Sequence, residues 1–208
     1  MTLLLFLLAY LIGSIPTALL VGKFAFHIDI REHGSNNPGA TNTLRVLGKK
    51  AAIIVLLVDV SKGVLAASLP SLMGIDIDPL FPGLIAVIGH CFPIFAGFRG
   101  GKAIATTAGV LLATNIGMFL AAYLAFIFII YVTKYVFYGS LTVGLTMLIY
   151  SFFTPGREEE LIFSIFLLLL IFLHRSNIIN YIHHMEPKIN DKSLKDDRIP
   201  PKNKARRA

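Results

Sequence analysis

From Ala103 to Phe153 the only charged side chain is Lys134. A hydrocarbon layer about 30 Å thick is crossed by ~20 apolar helical residues, so this stretch holds more than one crossing. Asn115-Ile116-Gly117 and Tyr138-Gly139-Ser140 interrupt it, which predicts three spans, the first of them short. The rest of the chain agrees: 55% of its 208 residues are hydrophobic and only 15% are charged, more apolar surface than one soluble core can hide. A helix satisfies its own backbone hydrogen bonds in lipid. The fold class expected is therefore an all-α polytopic membrane protein with about seven transmembrane helices.

Apolar runs of the required length place the other spans. Leu3 to Val21 is the first, and Gly13-Ser14-Ile15-Pro16 within it predicts a kink or a close helix contact. No basic residue precedes this run, which fits a span better than a cleaved signal peptide. Ala51 to Met73 is the second, Leu80 to Ala96 the third, and Leu161 to Leu173 the seventh, extended by Glu160, His174 and Arg175. Alternating the ends of these spans gathers Lys23, Arg31, Arg45, Lys49, Lys50, Arg99, Lys102, Lys134 and Arg175 on one face with the tail, leaving Arg157 alone opposite. Cations stay inside, so the N-terminus is predicted outside and the C-terminus in the cytoplasm. Residues 187–208, finishing in Lys202, Lys204, Arg206 and Arg207, read as a basic, disordered cytoplasmic tail near anionic headgroups. Without aromatic interleaving or a soluble domain, no nucleic-acid partner is expected. Cys91 is the single cysteine and reads as a packed thiol, and the six histidines are too scattered to predict a metal site.

Three polar intervals stand out against this hydrocarbon. In His33 to Arg45, Gly34, Pro38 and Gly39 break regular structure, while Ser35, Asn36, Asn37, Thr41 and Asn42 offer small donors and acceptors, with Arg45 as a fixed cation. That is the chemistry of a loop cradling a phosphate-type anion, because turn amides point at the ligand and a guanidinium matches paired oxygens. The plainer reading, a solvated loop capping the next helix, has equal weight on these residues alone. The second interval, Phe98-Arg99-Gly100-Gly101-Lys102-Ala103, sets two glycines that admit close backbone approach between two cations. Its spacing is not that of a Walker A loop. The third is His174 to Glu186. Within the second span, Asp59 and Lys62 lie three apart on one helical face, where they can pair and shield each other from lipid. Orientation by charge puts all three intervals on the cytoplasmic side, as expected of one site.

These residues resemble the bacterial acyl-phosphate:glycerol-3-phosphate acyltransferases, integral membrane enzymes of phospholipid synthesis, over 1-186. Gly34-Ser35-Asn36-Asn37-Pro38-Gly39-Ala40-Thr41-Asn42 with Arg45 is similar to the family's first motif, and Asp59 through Lys62-Gly63 to its Asp-x-x-Lys-Gly element. Gly89-His90 through Lys102 is similar to the second motif, and His174-Arg175-Ser176-Asn177-Ile178 with Glu186 to the third. The chain departs from the pattern at Asn36, Ala103 and His184, where Gly is usual, and at Asn180, where Arg is usual. Asn tolerates left-handed backbone; Ala is less forgiving if its position needs positive φ.

The resemblance implies acyl transfer from acyl phosphate to glycerol 3-phosphate at the inner (plasma) membrane, without a cofactor or metal. Ser35, Arg45, His174 and Asn177 would be catalytic. Asn37, Gly39, Thr41, Asn42, Lys62, His90, Arg99, Gly100, Gly101, Lys102 and Arg175 would bind substrate. No acidic partner beside a neighbouring His makes Ser35 a triad nucleophile, so it is read as a hydrogen-bond donor. His174, His90 or the substrate's own phosphate could take the proton, and Glu186 is read as structural, pairing with a basic loop residue. Partners implied are the two substrates, membrane lipids and the enzyme that makes the acyl phosphate. A transporter of a phosphorylated metabolite, or a low-activity paralogue, is the alternative.

Overall fold

The computed structural model of the protein describes residues 1–153, 157–191 and 198–199, of which 157 and 158 by backbone alone. The expected turn at 154–156 and the cationic finish of the tail lie outside the described residues. Regular structure among the described residues is entirely helical. The chain divides into two compact units, residues 1–114 with 192–208, and residues 115–191.

In the first unit, α1 (Thr2–Gly13) and α2 (Thr17–Val21) are two halves of one broken helix, α2 running on through a π-helical turn at Gly22–Phe26. Pro16 has no N–H to continue the ladder, and the halves meet at a 41° bend. The same segment is also a close contact. A Cβ on Gly13 would collide with the backbone of Ala86 in α5 (Leu80–Cys91), and one on Gly89 with the Tyr10 carbonyl. The hydroxyl of Tyr10 donates to the Phe92 carbonyl at 2.7 Å, fastening the end of α5 to α1. α4 (Lys49–Met73) is bounded by left-handed Gly74 at its C-terminus and lies against α6 (Ile104–Thr114). There Gly63 faces the Thr106 carbonyl and Gly109 the Val60 carbonyl, so the two backbones touch where a side chain would hold them apart.

Leu5, Ala9, Ala66, Leu69 and Ala86 form one buried cluster of this unit. A second, of Ala18, Ile30, Val46, Leu47, Ala51 and Val55, lies beneath α3 (Ala40–Val46). Ile199 packs on it and donates its N–H to the Val46 carbonyl at 2.9 Å, so the last described piece of the tail returns to the folded unit.

The second unit contains α7 (Ile116–Thr133), α8 (Val136–Ser151), α9 (Arg157–Leu173) and α10 (Arg175–Ile182). The Asn115 side chain caps α7 by accepting from the Met118 N–H at 2.9 Å. Gly139 lets α8 approach Ile130 and Phe126 of α7, and Gly144 lets it approach Leu167 and Leu170 of α9. α9 and α10 meet at a 53° bend. Tyr135, Phe137, Tyr138 and Tyr181 cluster edge-on and stacked at one end of this unit, where the Lys134 ammonium lies 4.5 Å from the Tyr131 ring. That is the pattern of an aromatic belt.

α4 and α7 are each long and apolar enough to cross a membrane, and up to four spans result if each bent pair is one crossing. Leu80–Ala96, α6 and α8 are shorter apolar helices. Leu57, Leu124, Phe128 and Leu168 are all more than half exposed, as lipid-facing side chains are.

Candidate functional site

The first polar loop is built on its own backbone. His27 turns the chain with φ 59, and Asp29 then caps the 3-10 turn Ile30–Glu32 by accepting from the Arg31 N–H at 2.9 Å. The Arg31 guanidinium pairs with Asp29 at 2.7 Å and donates from Nη1 to the Ala96 carbonyl, also at 2.7 Å. That second bond ties the first polar loop to the segment leading into the second. Arg31 holds the Asp29 carboxyl down at about 2, its hydrogen bond outweighing the opposing effect of burial. In the sequence Arg31 is only one more of many cations; the Asp-x-Arg spacing is the available signal for the local pair, and nothing local signals Ala96.

Beyond this turn Gly34 takes φ 60, and a Cβ there would collide with the Asn42 side chain. Asn42 is buried and fully engaged within the loop. Its Oδ1 accepts from the Ser35 N–H at 2.8 Å, and its Nδ2 donates to the carbonyls of His33 at 2.9 Å and Ile30 at 3.3 Å. Ser35, Asn36 and Thr41 are exposed, Asn36 with φ 58, and Asn37 is half-buried. Gly39 leads into α3, its carbonyl accepting from the Thr43 hydroxyl at 3.0 Å. Arg45 is half-buried at the far end of α3, and its buried Nε has no hydrogen-bond partner.

The second loop is threaded against the end of α5. The Gly100 N–H donates to the Cys91 carbonyl and the Gly101 N–H to the His90 carbonyl, both at 3.1 Å. A Cβ on Gly100 would meet the His90 carbonyl, and one on Gly101 the His90 ring. What these glycines admit at close range is the end of α5. Arg99 is exposed, Lys102 half-buried, and Ala103 fully buried with φ 73.

Behind this loop lies a buried polar cluster. Lys62 Nζ and Asp59 Oδ1 are 2.9 Å apart, the pairing expected from their spacing, with side chains only 4% and 2% exposed. Asp59 also accepts from the Thr17 hydroxyl at 2.9 Å, and Lys62 donates to the Ile15 carbonyl at 3.1 Å. His90 Nδ1 lies 3.8 Å from Asp59. Lys62 and His90 are thus placed inside the unit, behind the glycine loop. Thr17 does not stand out in the sequence, where one threonine beside a proline carries no signal.

In the second unit, buried His174 opens α10. Its Nδ1 lies 2.9 Å from the Leu170 carbonyl, which can only accept, so Nδ1 donates. Asn177 Nδ2 donates to Glu186 Oε1 at 2.7 Å, giving Glu186 a structural partner that is an amide instead of a cation. Exposed Arg175 donates to the Phe172 carbonyl at 2.9 Å and lies over the Phe172 ring at 4.2 Å. His184 has φ 58. No group of three His, Cys, Asp or Glu able to hold a metal occurs among the described residues.

Residues 3–184 match the model of the glycerol-3-phosphate acyltransferase family. The glycerol-3-phosphate acyltransferase of Bacillus subtilis (strain 168) is 49% identical over 186 residues, covering 89% of this chain and 96% of that protein. That of Geobacillus kaustophilus (strain HTA426) is 47% identical over 190 residues, covering 91% and 96%. Among solved structures, PlsY (YgiH), an integral membrane glycerol 3-phosphate acyltransferase in its glycerol 3-phosphate form, superposes with a TM-score of 0.81 at 35% identity, covering 89% of this chain and 94% of that one. Its lysophosphatidic acid form gives 0.78 at 34% identity. Motif order, an all-helical membrane fold and relatedness over nearly the whole length agree, and the chain belongs to the glycerol-3-phosphate acyltransferase family.

Proposed function

We propose that the protein transfers a fatty acyl group from an acyl phosphate to glycerol 3-phosphate, giving 1-acyl-glycerol 3-phosphate and inorganic phosphate in phospholipid synthesis. The observation that carries this reading is Arg45, whose side chain comes back from the far end of α3 against Gly34 of the first loop with its Nε unpartnered, beside exposed Ser35. A guanidinium so placed suits a phosphate oxygen. The naming of the relatives for glycerol 3-phosphate supports the acceptor.

In the reaction the acceptor hydroxyl oxygen attacks the acyl carbonyl carbon. A new ester C–O bond forms, the C–O bond to phosphate breaks, and phosphate leaves with the electron pair. An acyl phosphate is a mixed anhydride with a good leaving group, so no covalent acyl-enzyme is required. Binding two phosphates and aligning the hydroxyl supply the acceleration. Arg45, Arg99 and Lys102 offset the charge of the reactants. Ser35 donates to a phosphate or carbonyl oxygen. His174 takes the hydroxyl proton and passes it to the departing phosphate, and Asn177, held by Glu186, orients the acceptor.

The topology that suits this chemistry has seven crossings: Thr2–Phe26, Lys49–Met73, Leu80–Ala96, Ile104–Thr114, Ile116–Thr133, Val136–Ser151 and Glu159–Ile182. It sets the N-terminus outside and the C-terminus in the cytoplasm, supported by the distribution of cations. At 1.5 Å per residue, the 11 residues of α6 cover only about 16 Å. A crossing so short leaves the glycine loop below the headgroups, where a donor dissolved in lipid and an acceptor dissolved in water can both arrive. The enzyme that makes the acyl phosphate is the natural partner.

The protein in lipid, given acyl phosphate and glycerol 3-phosphate, is expected to release lysophosphatidic acid and phosphate, and acyl-CoA is not expected to replace the donor. Ser35→Ala and Arg45→Ala should each lower kcat/KM by ~10²-fold or more, the cost of one preorganised donor. No product from the wild type, or full activity in both variants, would refute the assignment.

A further inference from the structure

We propose that Asp59, held by Thr17 and Lys62 behind His90, is a positioning residue that sets the glycine loop Arg99–Lys102 and through it the affinity for the phosphorylated substrates. This rests on the phosphate-holding reading of that loop. The cluster is contiguous. Asp59 Oδ1 takes the Thr17 hydroxyl at 2.9 Å and the Lys62 ammonium at 2.9 Å, and stands 3.8 Å from His90 Nδ1. The opposite edge of the same imidazole, at Nε2, is what a Cβ on Gly101 would strike first. The His90 ring therefore fills the space between a fixed carboxylate and the loop backbone. The His90 and Cys91 carbonyls take the Gly101 and Gly100 N–H groups at 3.1 Å, so ring and loop move together.

The cluster also fixes what lies on either side of the ring. Lys62 donates to the Ile15 carbonyl at the break of the first helix, at 3.1 Å, and Thr17 reaches Asp59 from beyond that break. Next to Lys62, Gly63 sits against the Thr106 carbonyl in the first turn of α6, which begins two residues after Lys102. The ion pair thereby reaches the broken helix and the end of α5, while Gly63 beside it abuts the start of α6. Stability alone gives little reason for such a pair, since buried ion pairs are often replaced by apolar residues without loss. A requirement for exact loop placement does give one.

Two variants test this in the intact protein in lipid, with steady-state kinetics for both substrates and the thermal midpoint measured together. Asp59→Leu/Lys62→Met removes both charges at once, and Thr17→Val removes one hydrogen bond at nearly constant volume. If the cluster positions the loop, KM for at least one phosphorylated substrate rises about tenfold in the double variant and about threefold in Thr17→Val, with kcat changed less than KM. A merely structural role lowers kcat by reducing the folded fraction and leaves both KM values alone. Unchanged KM values in the double variant overturn the proposal, and should that variant not fold, unchanged KM values in Thr17→Val do so. A wild type that makes no product would sink the acyltransfer reading instead, so the two failures are distinct.

Discussion

Asn42→Asp is the sharpest perturbation of the first loop, because it preserves size while exchanging two amide donors for an anionic oxygen. The native amide accepts from the Ser35 N–H at 2.8 Å and donates to the His33 carbonyl at 2.9 Å and the Ile30 carbonyl at 3.3 Å, from a side chain that is 1% exposed. With a carboxylate in its place the Ser35 bond survives, but an anionic oxygen faces two carbonyls. Two hydrogen bonds at about 1 kcal/mol each are lost, and repulsion or forced protonation adds at least another 1–2 kcal/mol, by order of magnitude about that of one shifted pKa unit. The total, about 3–4 kcal/mol, falls on a loop of local structure, so the loop loses order before the helices do. Such a loss in aligned enzyme corresponds to a fall of ~10²–10³-fold in kcat/KM. The assay is phosphate release at neutral pH alongside thermal unfolding in detergent. A partial recovery relative to wild type as pH falls is also expected, because the introduced carboxyl regains one donor once it is protonated. Activity of Asn42→Asp within threefold of wild type at neutral pH would refute the role given to this side chain.

Gly101→Ala places a methyl against the His90 ring and should lower kcat/KM by well over ~10-fold, since the imidazole is itself hemmed in by Asp59; near-normal kinetics would contradict the packing. At Ala103, with φ 73, the strain of about 1–2 kcal/mol relieved by Ala103→Gly is largely offset by a lost methyl worth ~0.8 kcal/mol and by greater freedom of the unfolded chain. That variant should keep its thermal midpoint, while the β-branched Ala103→Val should lower it clearly. Asp29 is depressed to about 2 from 3.8, so its contribution is complete above pH ~4 and is lost as pH falls through that window. Asp29→Asn should lack this part of the acid-induced drop in thermal midpoint, and superimposable profiles would count against the Asp29–Arg31 pair.

How much of the fold is legible in the sequence depends on whether the signal is local. Hydrocarbon runs broken at Gly13–Pro16 and Asn115–Gly117 announce where helices stop, and they do stop there: α1 ends at Gly13 and α7 begins at Ile116. The Asp59–Lys62 pair is legible because three residues is a helical spacing. Other features are not. The seventh apolar run ends at Leu173, yet a second helix, Arg175–Ile182, follows at a 53° bend. Its polar sequence carries no hydropathy signal. Arg31 reaching the Ala96 carbonyl and Thr17 reaching Asp59 are contacts across 65 and 42 residues, which only the packed fold can specify.

The glycines show why motif likeness and physical requirement are separate matters. At positions 36, 103 and 184, where the resembled family usually has Gly, this chain has Asn, Ala and His, with φ of 58, 73 and 58. The backbone at all three is left-handed, which Gly adopts freely and other residues at about 1–2 kcal/mol each, less for Asn. At Gly100 and Gly101 the need is for space: any Cβ meets a carbonyl or the His90 ring. A conformational cost is a fixed energy that surrounding packing can offset. A collision with backbone can be relieved only by moving the loop, and with it Arg99 and Lys102. Substitutions are therefore expected to accumulate at the first kind of glycine position and to be excluded from the second, wherever the loop must hold a phosphate in place.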